Sequence, residues 1–69
     1  MIIIRGELRG YDGPNNMVKI HTERGNDISM PVLNYELQED ILDNLFTLSG
    51  VMLNWEITEG NVTGYRKGQ

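Results

Sequence analysis

Along the first eleven residues apolar and polar positions alternate: Ile2, Ile4 and Leu8 share one parity, and Arg5, Glu7 and Arg9 share the other. A period of two is the pattern of a strand with one buried face, and it predicts a first strand over about residues 2–11. Gly6 and Gly10 fall on the inward parity, where glycine marks a bulge or a sharp bend. Asp12-Gly13-Pro14-Asn15-Asn16 is dense in turn formers and reverses the chain. A second strand follows over 17–23, with Val18, Ile20 and Thr22 inward and Met17, Lys19, His21 and Glu23 outward. Arg24-Gly25-Asn26-Asp27 turns the chain again, and Ile28, Met30 and Val32 form the inward set of a third strand over 27–32. Pro31 has no N–H to give to a ladder, which places it at an edge or near the strand's end.

From Asn34, a good helix N-cap, the period changes from two to that of a helix over 35–48. Leu37, Ile41, Leu45 and Leu48 make one stripe, and Leu42, Phe46 and Tyr35 widen it to about half the circumference. The opposite face carries Glu36, Glu39, Asp40 and Asp43. Early acidic residues favour the positive end of the helix dipole, and Gly50 is placed to end the helix in a left-handed cap. Val51, Leu53, Trp55 and Ile57 then alternate with polar neighbours in a fourth strand over 51–58, and a fifth follows over 61–66 after Glu59-Gly60-Asn61. Trp55 shares the inward parity, which assigns it to the core.

Three strands, one helix and two strands in a single domain over 1–69, with glycines in the first strand, resemble the OB-fold, a five-stranded Greek-key barrel. The helical pattern is longer than the single turn that an SH3-like small barrel carries at that position. The resemblance implies a mainly β fold of order β-β-β-α-β-β, closed into a barrel. It also implies a helix that plugs one barrel end, burying Leu42, Phe46 and Tyr35, with a groove for a partner as the alternative. Ligands of such barrels bind across strands two and three and the adjoining loops, which here means Lys19, His21, Ser29 and the turns 12–16 and 59–61, with Arg5, Arg9 and Tyr11 outward beside them. Those outer faces carry no aromatic residue in strands two and three, where base stacking would supply about 1–3 kcal/mol per base.

The net charge of -4 over 69 residues hides a segregation. Arg5, Arg9, Lys19 and Arg24 lie in the first 24 positions against Glu7, Asp12 and Glu23, whereas residues 25–65 hold seven acidic residues and no Lys or Arg. A chain divided this way predicts two differently charged faces. With no cysteine there is no disulfide, thiolate metal site or cysteine nucleophile. Met1-Ile2-Ile3-Ile4 is interrupted at once by Arg5 and Gly6, too short for a signal peptide or a span, so the expected location is the cytoplasm.

The sequence holds little that suggests catalysis. His21 is the sole imidazole, and neither Ser29 nor Ser49 lies in anything like a nucleophile elbow. Carboxylates on one exposed helix face diverge rather than converge on a cation, and Asp12, Asn15 and Asn16 lack the spacing of a calcium loop. Gly6, Gly10 and Gly13 have no phosphate-loop spacing, and the sequon Asn61-Val62-Thr63 has no secretory context. The expectation is a non-enzymatic module with no cofactor and no metal. Its partner would be another protein or a second copy, engaged in the manner of an adaptor or inhibitor, with Glu36, Glu39, Asp40 and Asp43 as the acidic partner face. The alternative is single-stranded nucleic acid bound by a basic face of Arg5, Arg9, Tyr11, Lys19 and His21, without a membrane role.

Overall fold

The computed structural model describes residues 1–67 and runs β1 (Ile2–Asp12), β2 (Met17–Thr22), β3 (Asp27–Pro31), α1 (Tyr35–Asp43), α2 (Leu45–Leu48), β4 (Met52–Thr58) and β5 (Asn61–Lys67). The strands form one antiparallel sheet in the order β3-β2-β1-β4-β5. β1 is central because its eleven residues are long enough to pair with β4 along Ile2–Glu7 and with β2 along Gly6–Asp12. The fold is mainly β with helical structure on one side, as the change of period predicts.

The barrel expected from the OB-fold resemblance is not present. β3 and β5 are the two edges of the sheet, and no ladder joins them among the described residues. Closure needs both edges to present N–H and C=O groups to each other in register. β3 has only five residues and ends on Pro31, which cannot donate, and the chain then leaves through Val32 for α1. Alternation says which face of a strand is buried but not whether the outermost strands meet.

The inner face of the sheet collects Leu8, Val18, Ile20, Leu53, Trp55, Ile57 and Val62, and Val32, Ile41 and Leu48 cover them from the helical side. Trp55 is fully buried, and its indole Nε1–H donates to the carbonyl oxygen of Gly6 at 3.1 Å, so its single polar group is satisfied. Its ring lies 5.5 Å from that of Tyr65, its cross-strand partner on β5. Gly6 is required by close approach: a Cβ there would stand 2.6 Å from the carbonyl oxygen of His21 and 2.7 Å from Cγ2 of Ile20.

Between Leu8 and Gly10 the β1–β2 register shifts, leaving Arg9 without a partner in a β-bulge. The extra residue inverts the parity that follows. Gly10 therefore pairs with outward Lys19, and Tyr11 pairs with buried Val18 and packs against the core. The Asn34 side chain accepts from the Leu37 N–H at 3.0 Å, capping α1 as its position in the sequence suggests. The helix does not run unbroken over 35–48, because Asn44 leaves helical geometry and separates α1 from α2. Among the described residues no helix is long and apolar enough to cross a membrane.

Candidate functional site

The residues singled out from the sequence fall mainly on two surfaces, the outer face of the sheet and the outward face of α1 and α2. Of the five residues expected on a basic face, Arg5, Arg9, Lys19 and His21 lie on the side of the sheet away from the core. Tyr11 lies on the core side because of the bulge at Arg9, and its hydroxyl donates to Asn16 Oδ1 at 3.3 Å. Partial burial pushes the Tyr11 hydroxyl pKa up.

Cross-strand neighbours place an acidic residue beside three of the basic residues of this face, Arg5, His21 and Arg66. Arg5 Nε lies 3.2 Å from Glu23 Oε2, and its guanidinium also donates to Asn54 Oδ1 at 3.3 Å. Arg66 Nε lies 3.0 Å from Glu56 Oε2, whose side chain folds over Gly64. His21 Nδ1 and Asp27 Oδ1 are 2.6 Å apart, because these two residues oppose each other in the β2–β3 ladder. Arg9 is the loosest pair, 3.9 Å from Glu7, and Lys19 has no carboxylate partner among the described residues. Each exposed pair contributes about 0–1 kcal/mol to stability. Their larger effect is to cancel the local positive field. The pairings between separated segments, such as Arg5 with Glu23, were invisible without the register.

On the helical side, Glu36, Glu39, Asp40 and Asp43 are all exposed. Asp40 is not free: Tyr65 donates its hydroxyl to Oδ2 at 2.6 Å, and the Asn44 side chain donates to Oδ1 at 3.0 Å. Asp40 therefore braces α1 against β5, and burial together with the hydrogen bond and charge of Asp40 pushes the Tyr65 hydroxyl pKa up to about 12. Glu36, Glu39 and Asp43 have no ion pair among the described residues.

The apolar half of the helix departs from expectation. Ile41 and Leu48 are buried and Leu37 and Leu45 half-buried, but Tyr35 is 70% exposed, Leu42 48% and Phe46 97%, with Leu33 beside the N-cap at 70%. These residues plug no barrel end. The open sheet presents one inner face, and Leu37, Ile41, Leu45 and Leu48 suffice to meet it, so a stripe half a circumference wide has no second wall to bury its margin. Tyr35, Glu39 and Leu42 recur at intervals of four and three residues, the spacing of one face of α1, and Phe46 follows on α2 beyond the break at Asn44. A hydrogen bond with Glu39 pushes the Tyr35 hydroxyl pKa up.

Ser29 opposes Lys19 in the β2–β3 ladder, and the Asn15 side chain donates to Asp12 Oδ2 at 2.8 Å within the first hairpin turn. Thr63 of the sequon donates its hydroxyl to the carbonyl oxygen of Glu56 at 3.3 Å. Among the described residues no group of three or more His, Asp or Glu is arranged to hold a metal ion. Compared with protein-family models, curated proteins and solved structures, the chain matches none of them.

Proposed function

We propose that this protein is a non-enzymatic binding module acting in the cytoplasm, and that it recognises another protein through the outward face of α1 and α2. The observation that carries the proposal is Phe46, 97% exposed on α2, with Tyr35 and Leu42 exposed on the adjoining α1. Burying a side chain of this size in an interface contributes roughly 1.5–3 kcal/mol, and interface hot spots are enriched in aromatic anchors. Glu36, Glu39 and Asp43 stand among these anchors without cationic partners of their own among the described residues, so the complementary surface is basic as well as apolar. A second copy of this chain would bring the same carboxylates against them, which argues for a different protein. The favoured partner presents a segment with apolar anchors flanked by Lys or Arg.

Single-stranded nucleic acid is less well supported. Arg5 and Arg66 are held by Glu23 and Glu56 at 3.2 and 3.0 Å, and Tyr11 is turned to the core, leaving the outer face without an extended row of free cations or an aromatic platform.

An amide NMR titration with a synthetic amphipathic Lys/Leu helical peptide tests the proposal. Saturable shifts confined to residues 33–47, weakened at least tenfold in Phe46→Ser and in Tyr35→Ser/Leu42→Ser, are the expected result. Unchanged affinity in both variants, or shifts centred on the outer face of the sheet, would sink it.

A further inference from the structure

Arg9, Lys19, His21, Asp27 and Ser29 converge around a cleft of about 370 Å³ on the outer face of β1, β2 and β3, which the β2–β3 ladder pair Ile20 and Ile28 also lines. The bulge in β1 leaves Arg9 out of register, where it shares this cleft with the two β2 side chains instead of continuing an alternating row. Gly10, opposite Lys19, has no side chain to occupy the ground between them, and a Cβ there would only touch Cδ of Lys19 at 3.9 Å. Ser29 faces Lys19 across the β2–β3 ladder, and Asp27 holds the imidazole of His21 through Nδ1 at 2.6 Å, fixing one wall.

We infer that this cleft is a binding site for a small ligand bearing a phosphate monoester. Three strands bring a guanidinium, an ammonium and a hydroxyl to one concavity, and the three terminal oxygens of a monoester accept from several directions at once. The cations are available: Lys19 has no carboxylate partner among the described residues, and Arg9 meets Glu7 only at 3.9 Å, a contact that a phosphate displaces. The volume sits at the lower end of the range for small-molecule sites, about 300–1,000 Å³, enough for a single charged group with a short organic body. A nucleic-acid backbone fits less well, because the cations that would extend the track, Arg5 and Arg66, are bound to Glu23 and Glu56. This site lies on the sheet and is independent of the protein-docking helix face.

The test is an amide NMR titration of the full chain with inorganic phosphate and with phosphoserine, at constant ionic strength set by sodium chloride. A third arm uses a short oligothymidylate. The expected result is saturable shifts at Arg9, Gly10, Lys19, His21 and Ser29 in both phosphate arms. Lys19→Ala and Arg9→Ala should each weaken binding about tenfold, a loss of roughly 1.4 kcal/mol, whereas Arg24→Ala leaves it unchanged. Shifts that never saturate, or full affinity in Lys19→Ala, overturn the site. Oligothymidylate binding tighter than phosphoserine, with shifts spreading to Arg5 and Arg66, overturns the small-ligand assignment in favour of a nucleic acid.

Discussion

Tyr65 couples the last strand to the helix through one hydroxyl, donated to Asp40 at 2.6 Å. Its pKa, pushed up to about 12 by burial first and then by the hydrogen bond and charge of Asp40, means that the folded state holds this proton more tightly than the unfolded chain does. The contribution is fully present below pH about 10, the unfolded value, and is lost as pH rises through about 12. Denaturant midpoints measured across pH 9–12 should fall less steeply in Tyr65→Phe than in the wild type, while at neutral pH the variant loses about 1 kcal/mol. Parallel pH profiles would refute the coupling. Tyr35 shifts in the same direction through Glu39, so Tyr35→Phe is the comparison that isolates Tyr65. At this scale the sequence was only partly readable. Trp55 belongs to the core by parity alone, whereas the outward parity of Tyr11 failed because a bulge adds one residue to β1 and inverts everything after it.

At the scale of elements, the helix is the informative case. Its stripe is wide enough to be covered on two sides, yet the open sheet covers only one. Ile41 is fully buried and Phe46 almost wholly exposed. Ile41→Ala should therefore cost about 2–5 kcal/mol of unfolding free energy through lost contacts and a cavity, whereas Phe46→Ser should stay within about 0.5 kcal/mol. Urea denaturation of the two variants checks the contrast, and a large loss in Phe46→Ser would mean that this ring packs against the fold. The break at Asn44 fits the same division, since its side chain donates to the carbonyl oxygen of Asp40 at 2.8 Å while α2 carries Leu48 onto the core. Apolar spacing predicts a helix and its inner line from local sequence. How far the apolar face extends into solvent depends on the shape of what it meets.

Over the whole molecule, the division of charge along the chain becomes a division in space, but not into a basic and an acidic side. The outer face of the sheet is paired by Glu7, Glu23, Asp27 and Glu56, which leaves it near neutral, and the unpaired carboxylates Glu36, Glu39 and Asp43 remain on the helical side. Attraction of a cationic partner to that side acts through solvent and is screened over about 8–10 Å at ordinary salt. Association of the Lys/Leu peptide should therefore slow severalfold as salt rises from about 50 to about 200 mM, with dissociation changing far less, because steering acts on encounter and the apolar contacts on release. Stopped-flow fluorescence, with label on the peptide, separates the two rates. An association rate indifferent to salt would leave the carboxylates without a part in recognition.

The sequence by itself determined the mainly β character, the change to a helix after Asn34, the burial of Trp55, Leu8 and Ile41 and the acidic helix, because periodicity, capping and charge are properties of neighbours along the chain. Tertiary structure alone decided that the sheet stays open, that Tyr11 turns inward, that Arg5 meets Glu23 and Arg66 meets Glu56, and that Phe46 faces solvent. Each depends on the register between strands distant in sequence or on the shape of the surface opposite, and a single shifted residue or an unclosed edge changes it without altering any local pattern.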